Sequence, residues 1–297
     1  MTVTNMSNSI MGGYAADFEK RIEKLFGCNN CEYRVIYDAC KYSLLLGGKR
    51  LRPYLLNKFY NLCSNTDEGS FLFEAAIECI HTYSLIHDDL PCMDNDDMRR
   101  GKPSLHKAFG EANALLAGDA LLTEAFLLAS STENIDSENV LKAIRVLSSC
   151  AGINGMIGGQ TVDLMYEKKT ADEDILRLIC NLKTGALIKA ACSIGCILAG
   201  ADNKKISAAE KYAQNIGLAF QIVDDILDET STEEKLGKPI HSDRENGKST
   251  FVTLFGIEKC MDLVAQLTEN AKEALDVFGD DASELKKLAD DLCKRDH

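Results

Sequence analysis

The sequence predicts an all-α protein, organised as one domain of about ten or more helices. The first observation is the scarcity of proline: the 297 residues include only four, and none lies between Pro103 and Pro239. Because proline interrupts a helix, that stretch is free to form successive helices. The second observation is that apolar residues recur at helical spacing over long segments. The third is the lack of alternating strand patterns, short repeats and low-complexity blocks.

The helical spacing is clearest in five segments, which we expect to form helices: 71–90, 112–130, 140–164, 175–199 and 208–227. Capping-box sequences that begin at Thr170 and Ser207 predict helix starts at those residues. Residues 61–70 and 229–247 are interpreted as loops. The polar residues 1–13 are interpreted as a disordered leader, and residues 14–297 as a single helical domain.

Composition restricts the class of partner. The chain carries 33 basic and 46 acidic residues, a formal net charge of −13. Such an acidic surface argues against general binding to nucleic acid or to an anionic membrane. We find no long uncharged apolar stretch, so membrane insertion is not expected. The N-terminus also lacks the pattern of a secretory signal, and a cytoplasmic location is therefore predicted.

The chain contains twelve cysteines. They are scattered along a long chain that can form a core, which favours reduced and mostly buried thiols over a disulfide scaffold. Cys28 and Cys31 have the spacing of a metal or redox motif, but no second ligand pair accompanies them.

An acidic segment follows the predicted helix 71–90. Asp88 lies near the end of that helix, and Pro91 is expected to break it. Five aspartates and two arginines lie within thirteen residues: Asp88, Asp89, Asp94, Asp96, Asp97, Arg99 and Arg100. A solvated acidic loop is the alternative interpretation. The apolar residues before Asp88 and the paired arginines after the aspartates favour a binding site instead.

A second acidic motif lies on a predicted apolar helix. Gly217, Gln221, Asp224 and Asp228 are spaced to share one helical face. Carboxylates on a buried face repel each other and lose solvation, and a cation between them relieves both costs. Oxygen ligands of this kind favour magnesium, which bridges carboxylates to phosphates. Exposed aspartates are the alternative, which a second acidic motif in the same chain makes less attractive.

Cationic residues flank both acidic motifs. Arginine makes forked contacts to phosphate oxygens, and lysine supplies a point charge. Each of these residues taken singly could be an ordinary surface side chain. The set comprises Lys49, Arg50, Arg52, Arg99, Arg100, Lys183, Lys238 and Lys248. A local helix bend is expected at residues 183–185, because Thr184 and Gly185 interrupt the helical pattern there.

These motifs resemble those of the trans-prenyl diphosphate synthases, the family of farnesyl and geranylgeranyl diphosphate synthases. The resemblance extends from about residue 41 to residue 256 and rests on six motifs in the family's order: LGGKRLRP, IHDDLPCMDNDDMRRGKPSLH, GGQTVDL, KTGAL, FQIVDDILD and GKST. Four residues separate Asp89 from Asp94, a spacing typical of bacterial farnesyl synthases and plant geranylgeranyl synthases.

The resemblance implies a helical bundle around a central cavity, with the two aspartate motifs facing each other at its mouth. It implies Mg²⁺ as the cofactor, as three ions held by Asp88, Asp94 and Asp224, with Asp89 and Asp228 as weaker ligands. The implied allylic diphosphate ligands are Arg99, Lys183, Thr184, Gln221, Lys238 and Lys248. The implied isopentenyl diphosphate ligands are Lys49, Arg52, His81 and Arg100. Gln160 and Asp163 would line the cavity, while Tyr83 and Ser84 would set the product length.

The implied reaction joins dimethylallyl or geranyl diphosphate to isopentenyl diphosphate, with farnesyl diphosphate as the main product and a homodimer as the assembly. The catalytic residues would be Asp88, Asp94, Lys183 and Asp224. Geranylgeranyl diphosphate is the alternative product. A terpene cyclase needs only one diphosphate substrate, so it leaves the second cation set unexplained. A non-catalytic partner subunit of a synthase should have eroded aspartate motifs, whereas both motifs are intact here.

Overall fold

The computed structural model describes residues 11–27, 31–64, 69–167, 169–230 and 249–293. The helices of the first part of the chain are α1 (Gly12–Leu25), α2 (Arg34–Leu44), α3 (Leu51–Asn61), α4 (Phe71–Asp88), α5 (Leu105–Phe109) and α6 (Glu111–Ser130). They are followed by α7 (Ser137–Ala151), α8 (Met156–Tyr166), α9 (Glu173–Ile179), a π-helix (Cys180–Gly185), α10 (Ala186–Leu198) and α11 (Asn203–Thr230). The last elements are α12 (Phe251–Phe255), α13 (Ile257–Ala274), a 3₁₀-helix (Leu275–Ala282) and α14 (Ser283–Cys293).

The all-α prediction is confirmed. The strands among the described residues are the two-residue β1 (Met98–Arg99) and β2 (Lys102–Pro103), which the sequence did not predict. They pair antiparallel across a turn in which Arg100 and Gly101 both have positive φ, at 52° and 76°. This hairpin fixes the backbone of the two arginines that follow the first acidic motif.

The chain folds as two compact units. The first comprises Met1–Asn57 and Glu68–Ile135, and the second comprises Lys58–Asp67 and Asp136–His297. The single domain therefore remains a prediction. Residues 1–10 of the expected leader lie outside the described residues, and α1 already begins at Gly12.

In the first unit, α4 packs against α6. Phe73, Ile77 and Ile80 of α4 are fully buried, and each contributes roughly 1.5–3 kcal/mol through removal from water. The two helices approach closely at Gly118, where an added Cβ would lie 2.0 Å from Nε2 of His87. A glycine at this position therefore lets the His87 ring pack against α6.

A buried carboxylate in the first unit is fully satisfied. Glu74 of α4 is 1% exposed and accepts hydrogen bonds from the hydroxyls of Tyr14 and Ser70 at 2.7 and 2.6 Å. Nδ2 of Asn57 donates a third bond at 3.0 Å. These bonds offset the cost of burying the charge and connect α1, α3 and α4.

In the second unit, the long helix α11 packs against α10 and α13. Tyr212 of α11 is fully buried, donates its hydroxyl to the carbonyl of Leu285 at 2.9 Å, and packs edge-on against Phe59. Ile222 and Phe251 belong to a second buried cluster that α13 completes. α11 is therefore held along its length, which fixes the side chains it carries.

Some predicted boundaries are wrong. The segment 140–164 forms two helices, α7 and α8, because the chain turns at residues 152–155. The turn requires glycine at 155, where an added Cβ would lie 2.0 Å from the carbonyl oxygen of Cys150. The predicted start at Thr170 is also wrong: Asp172 is the N-cap and accepts a hydrogen bond from the backbone N–H of Ile175 at 3.0 Å. Ser207 lies inside α11, which begins four residues earlier.

Two stretches satisfy the length and composition criteria of a membrane span, namely Glu111–Ser130 and Ser137–Tyr166. The core helix of a soluble protein satisfies the same criteria. The second stretch is interrupted at residues 152–155, so it is not one continuous helix.

The cysteine prediction is confirmed for ten cysteines and wrong for one. Ten are free, and five of them, including Cys192 and Cys196 of α10, have strongly raised pKa values because of burial or a neighbouring thiol. Cys31, in contrast, is disulfide-bonded. Cys28 lies outside the described residues.

Candidate active site

The first acidic motif begins where α4 ends, at Asp88, as predicted. Asp88 is half-buried and Asp94 is exposed. The loop returns to the helix end, because the backbone N–H of Asp94 donates to the carbonyl of Asp88 at 2.8 Å. Asn95 supports this return with a left-handed φ of 54°. The two predicted magnesium ligands of this unit are therefore carried by a single compact turn.

Asp89 and Arg99 form a tight ion pair in the same unit. Asp89 is 3% exposed, and Nε of Arg99 donates to both of its carboxylate oxygens, at 3.0 and 3.1 Å. Burial raises the pKa of Asp89, and the guanidinium opposes that shift. The carboxylate is thus engaged by an arginine, which argues for a role in holding Arg99 rather than in direct metal binding.

A cationic cluster lies along α4 and the start of α3. Arg52 is half-buried, and its Nε is buried without a hydrogen-bond partner among the described residues. Burial lowers the pKa of His81 well below its ordinary value of 6.5, and the charges of Arg52, Arg100, Arg50 and Arg99 lower it further. His81 is therefore neutral at neutral pH and lies within the electrostatic reach of four arginines.

Arg100 reaches the loop before α3. Its Nη1 donates to the carbonyl of Gly47, and an added Cβ at Gly48 would lie 2.7 Å from its guanidinium. Gly48 also has a φ of 132°, which disfavours any other residue. Lys49 follows directly along the chain and is half-buried, and the charge of Arg100 acts on both Arg52 and His81. A shared binding site for these four residues stays a prediction.

The two residues predicted to set product length lie on α4. Tyr83 is 5% exposed, its hydroxyl has no hydrogen-bond partner among the described residues, and its ring packs edge-on against His87 with centroids 5.8 Å apart. Burial, followed by the charge of Asp88, raises the pKa of Tyr83 to about 12. Ser84 is half-buried, and its hydroxyl donates to the carbonyl of His81 at 2.9 Å.

The second unit contains a cavity of about 190 Å³. The polar side chains that line it come from α8 and the residue after it, the π-helix, α11 and the segment before α12, and the rest of the wall is apolar. The polar lining residues are Asp163, Glu167, Lys183, Thr184, Gln221, Asp225, Ser249 and Thr250. Three predicted allylic ligands, Lys183, Thr184 and Gln221, are thus brought together here.

Lys183 and Thr184 lie on the π-helix, at the point where the sequence predicted a local bend. Short π-helical turns occur often at functional sites because they redirect side chains and free backbone groups. Nζ of Lys183 donates to Oδ2 of Asp163 on α8 at 2.6 Å. α8 approaches closely at Gly159, where an added Cβ would lie 2.2 Å from the backbone nitrogen of Lys183. Gln160, also predicted to line the site, is half-buried on the same helix.

The second acidic motif occupies the last turns of α11. Asp224 is half-buried, and Asp228 is 3% exposed with an Oδ1 that has no partner among the described residues. Asp225 was not singled out from the sequence, yet it lines the cavity. Its carboxylate accepts from the backbone N–H of Phe251 at 2.9 Å and from Nε2 of Gln221 at 3.3 Å. The only sequence signal was its adjacency to Asp224, which places it about 100° around the helix.

The donor set fits a magnesium ion that is shared with a phosphate. Among the residues that the structure describes, no group of three metal-binding side chains is found. Magnesium is commonly held by only one or two carboxylates together with substrate phosphates and waters. The orphaned buried oxygen of Asp228, close in sequence to Asp224, agrees with such a site. Lys238 and Lys248 lie outside the described residues.

The chain belongs to the polyprenyl synthetase family, whose model matches residues 33–293. It is 45% identical over 264 residues to a geranylgeranyl diphosphate synthase from Cyanophora paradoxa, covering 88% of each chain. It is 43% identical over 269 residues to the farnesyl diphosphate synthase of Escherichia coli, covering 88% of this chain and 89% of that one. Among solved structures, a Helicobacter pylori geranyltransferase complexed with magnesium and isoprenyl diphosphate matches with a TM-score of 0.79 at 32% identity, over 96% of this chain and 97% of that one.

Proposed function

We propose that this protein is a magnesium-dependent prenyltransferase that condenses dimethylallyl and geranyl diphosphate with isopentenyl diphosphate and releases diphosphate. The observation that carries the proposal is the cation cluster around His81. Arg52 presents a buried nitrogen without a partner, and the cluster lies on the helix that ends in the first acidic motif. A cation cluster with an unsatisfied arginine nitrogen, on the helix that ends in an aspartate-rich turn, fits one diphosphate held by side chains and another held through metal ions.

The proposed roles of the residues are those that the family resemblance implies for their motifs. Asp88, Asp94 and Asp224 would hold three magnesium ions. Bound magnesium would neutralise the negative charge of the diphosphate leaving group. Lys183 and Arg99 add positive charge that favours heterolysis of the allylic C–O bond, with the electron pair leaving on the diphosphate.

Isopentenyl diphosphate does not ionise, and its diphosphate would be bound by Lys49, Arg52, His81 and Arg100. Held in place, its double bond attacks the allylic cation and forms the new carbon–carbon bond. A proton is then lost from the condensed cation. Because His81 is neutral and surrounded by arginines, protonating it there is costly. The released diphosphate is therefore the proposed proton acceptor.

Farnesyl diphosphate is the proposed main product. The relatives include both farnesyl and geranylgeranyl synthases, so the choice rests on this chain's own residues. Tyr83 is a large, buried residue about 7.5 Å below Asp88 along α4, at 1.5 Å per residue. Tyr83 lies about 140° around the helix from Asp88, so its ring would narrow the channel from the flank, while the small Ser84 leaves the Asp88 face open. The resemblance to farnesyl synthases supports Tyr83 as the residue that limits the tail. Geranylgeranyl diphosphate remains the alternative product.

A homodimer in the cytoplasm is the proposed assembly and location. α6 exposes Leu115, Leu116 and Leu127, at 47%, 54% and 56% of their surface, and apolar exposure of this kind is typical of a face that another chain covers. Ten of the eleven described cysteines are free, which agrees with a reducing compartment, whereas the disulfide at Cys31 does not.

The test of the activity is incubation of the purified protein with dimethylallyl and isopentenyl diphosphate, with and without magnesium. We expect a fifteen-carbon diphosphate with magnesium and none with EDTA. A non-catalytic partner subunit would give no product under either condition, and a terpene cyclase would give no chain elongation.

The division of the two diphosphate sites has its own test. Arg52→Ala should raise KM for isopentenyl diphosphate by roughly tenfold or more, since a charged hydrogen bond contributes about 1.5–3 kcal/mol. KM for the allylic substrate should change little. Arg34→Ala is the control, because that side chain is 61% exposed and its ion pair, with Asp38, lies within α2. A rise in the allylic KM alone would mean that the two sites are reversed.

A further inference from the structure

Arg50 lies between Lys49 and Arg52, the two residues proposed to bind a diphosphate. Its own side chain is buried and binds carboxylates instead. Its side chain is 0% exposed. Nη1 donates to Oε1 of Glu78 at 2.7 Å. Nε and Nη2 donate to Oε1 of Glu19 at 3.0 and 2.7 Å.

The same guanidinium closes the end of α2. Nη2 of Arg50 also donates to the carbonyl of Leu44 at 2.5 Å, the last residue of that helix. Arg50, the residue directly before α3, thereby connects α1, α2 and α4. The three contacts define a unit, which we call the Arg50 clamp: Glu19, Leu44, Arg50 and Glu78.

The backbone at Arg50 is held in a conformation that it would not choose alone. Its φ is 48°, in the left-handed region, which is uncommon for a residue other than glycine. Such a conformation costs of order 1 kcal/mol and persists only when surrounding contacts impose it. The contacts that impose it here are those of the buried side chain. The cost is informative, because strained residues of this kind are concentrated at functional sites.

The geometry connects the clamp to the cation cluster at two points. Along the chain, Lys49 directly precedes Arg50, and Arg52 lies in the first turn of α3, which begins at Leu51. On α4, Glu78 lies three residues before His81, which places the two on neighbouring positions of the helix surface. The charge of Glu78 also acts on Arg52 and Arg100, whose pKa values it raises against the effect of burial.

We propose that the Arg50 clamp is a positioning device for isopentenyl diphosphate: it fixes Lys49 and Arg52 relative to His81 without touching the substrate. The inference rests on the proposed function, since that function assigns the diphosphate to these residues. Glu78 also has an electrostatic role, because its negative charge acts on Arg50, Arg52 and Arg100 and offsets their mutual repulsion before any anion is bound. Arg50 and Glu78 are positioning residues in this scheme.

A simple stabilising role for the same ion pairs makes a different prediction. Loss of a purely structural contact lowers thermal stability and affects both substrates alike. Loss of a positioning contact weakens isopentenyl diphosphate selectively. The test therefore needs a variant that keeps the fold, and Arg50→Ala is unsuitable because it would leave two carboxylates without their partner.

Glu19→Gln is the suitable variant. Glu19 is 34% exposed on its side chain and distant along the chain from the acidic motif, and the substitution preserves shape while removing one charge. The matched control is Glu23→Gln, one turn further along α1, whose carboxylate pairs with Lys41 at 2.8 Å with both side chains more than a third exposed. Arg50→Lys is the second variant, since lysine keeps the charge but cannot make the forked contacts.

The measurements are Kd for isopentenyl diphosphate by calorimetry, KM for each substrate, kcat and Tm. For Glu19→Gln and Arg50→Lys we expect Kd and KM for isopentenyl diphosphate to rise about tenfold. The allylic KM and kcat should stay within about twofold of wild type, and Glu23→Gln should match wild type throughout. Equal rises in both KM values, or a fall in Tm with no change in KM, would overturn the positioning role. Absence of condensation by the wild-type enzyme would instead contradict the proposed function.

Discussion

Replacement of Tyr83 by alanine should lengthen the product. The ring is buried on α4 and packs against His87, and its hydroxyl has no hydrogen-bond partner among the described residues. Alanine removes the ring and the hydroxyl and leaves the backbone of α4 unchanged. The growing tail, if it runs beside α4, then gains space about 7.5 Å below Asp88.

The size of the effect follows from the apolar surface that an extra isoprene unit buries. Five further carbons at about 0.8 kcal/mol each would contribute roughly 4 kcal/mol. That free energy corresponds to roughly a thousandfold change in the ratio of twenty-carbon to fifteen-carbon product, since about 1.4 kcal/mol is tenfold. Half of this effect would still reverse the main product. The cavity should also lower stability by about 3–5 kcal/mol, so assays belong well below the new Tm.

The assay separates the products by chain length after reaction with excess isopentenyl diphosphate. Tyr83→Phe is the matched control: it keeps the ring and removes only the unsatisfied hydroxyl, so we expect the same fifteen-carbon product and equal or higher stability. The reasoning would be refuted by an unchanged product distribution in Tyr83→Ala. It would also be refuted by wild-type enzyme that already makes mainly the twenty-carbon product.

Three further predictions concern other parts of the molecule. Asp224→Ala should lower kcat by roughly a thousandfold at saturating magnesium, because an electrostatic stabiliser of the leaving group is lost, and full turnover would exclude it as a metal ligand. Gly159→Ala should lower both Tm and activity, since its Cβ would lie 2.2 Å from the backbone of Lys183, whereas Gly13→Ala on the open face of α1 should lower neither. Because burial and nearby arginines lower the pKa of His81, the folded state excludes a proton that the unfolded chain binds below about pH 6.5. The free energy of unfolding therefore falls as the pH drops below that value, because the unfolded chain gains a proton on His81 that the folded chain does not bind. Glutamine cannot bind that proton, so the Tm of His81→Gln should fall less than the Tm of the wild type between about pH 7.5 and about pH 5.5.

The sequence predicted the helices that carry a long apolar face. It also predicted that the first acidic motif begins where such a helix ends. The helix 71–90 was predicted almost to its boundaries, because Pro91 marks its end as plainly as its periodicity marks its body. The segment 140–164 was joined in error, because glycines at 152 and 155 weaken a helix without the clear signal of a proline. The capping boxes failed where another side chain competed: Asp172 caps α9 in place of Thr170.

The sequence pointed to the candidate binding residues and much less to the residues that hold them in place. Lys183 and Arg52 were identified because their residue types suit a phosphate, and His81 because of the family resemblance. Arg50 was noted only as one more cation, since nothing in its neighbours along the chain indicates that Glu78 lies against it. Asp225 was overlooked for the same reason, because its partner, the backbone of Phe251, is 26 residues away.

Because residues Cys180–Gly185 form a π-helix, the orientation of the helices on either side depends on the number of residues in this segment. Each of its hydrogen bonds encloses one residue more than an α-helical bond, so α10 continues the axis of α9 with its faces offset by one residue. Loss of a single residue here would let an ordinary α-helix run through without any unpaired backbone group. It would also rotate one flanking helix about 100° relative to the other, and Lys183 with it. Selection at this segment therefore acts on length as well as on side-chain identity, and a survey limited to substitutions would not detect that constraint.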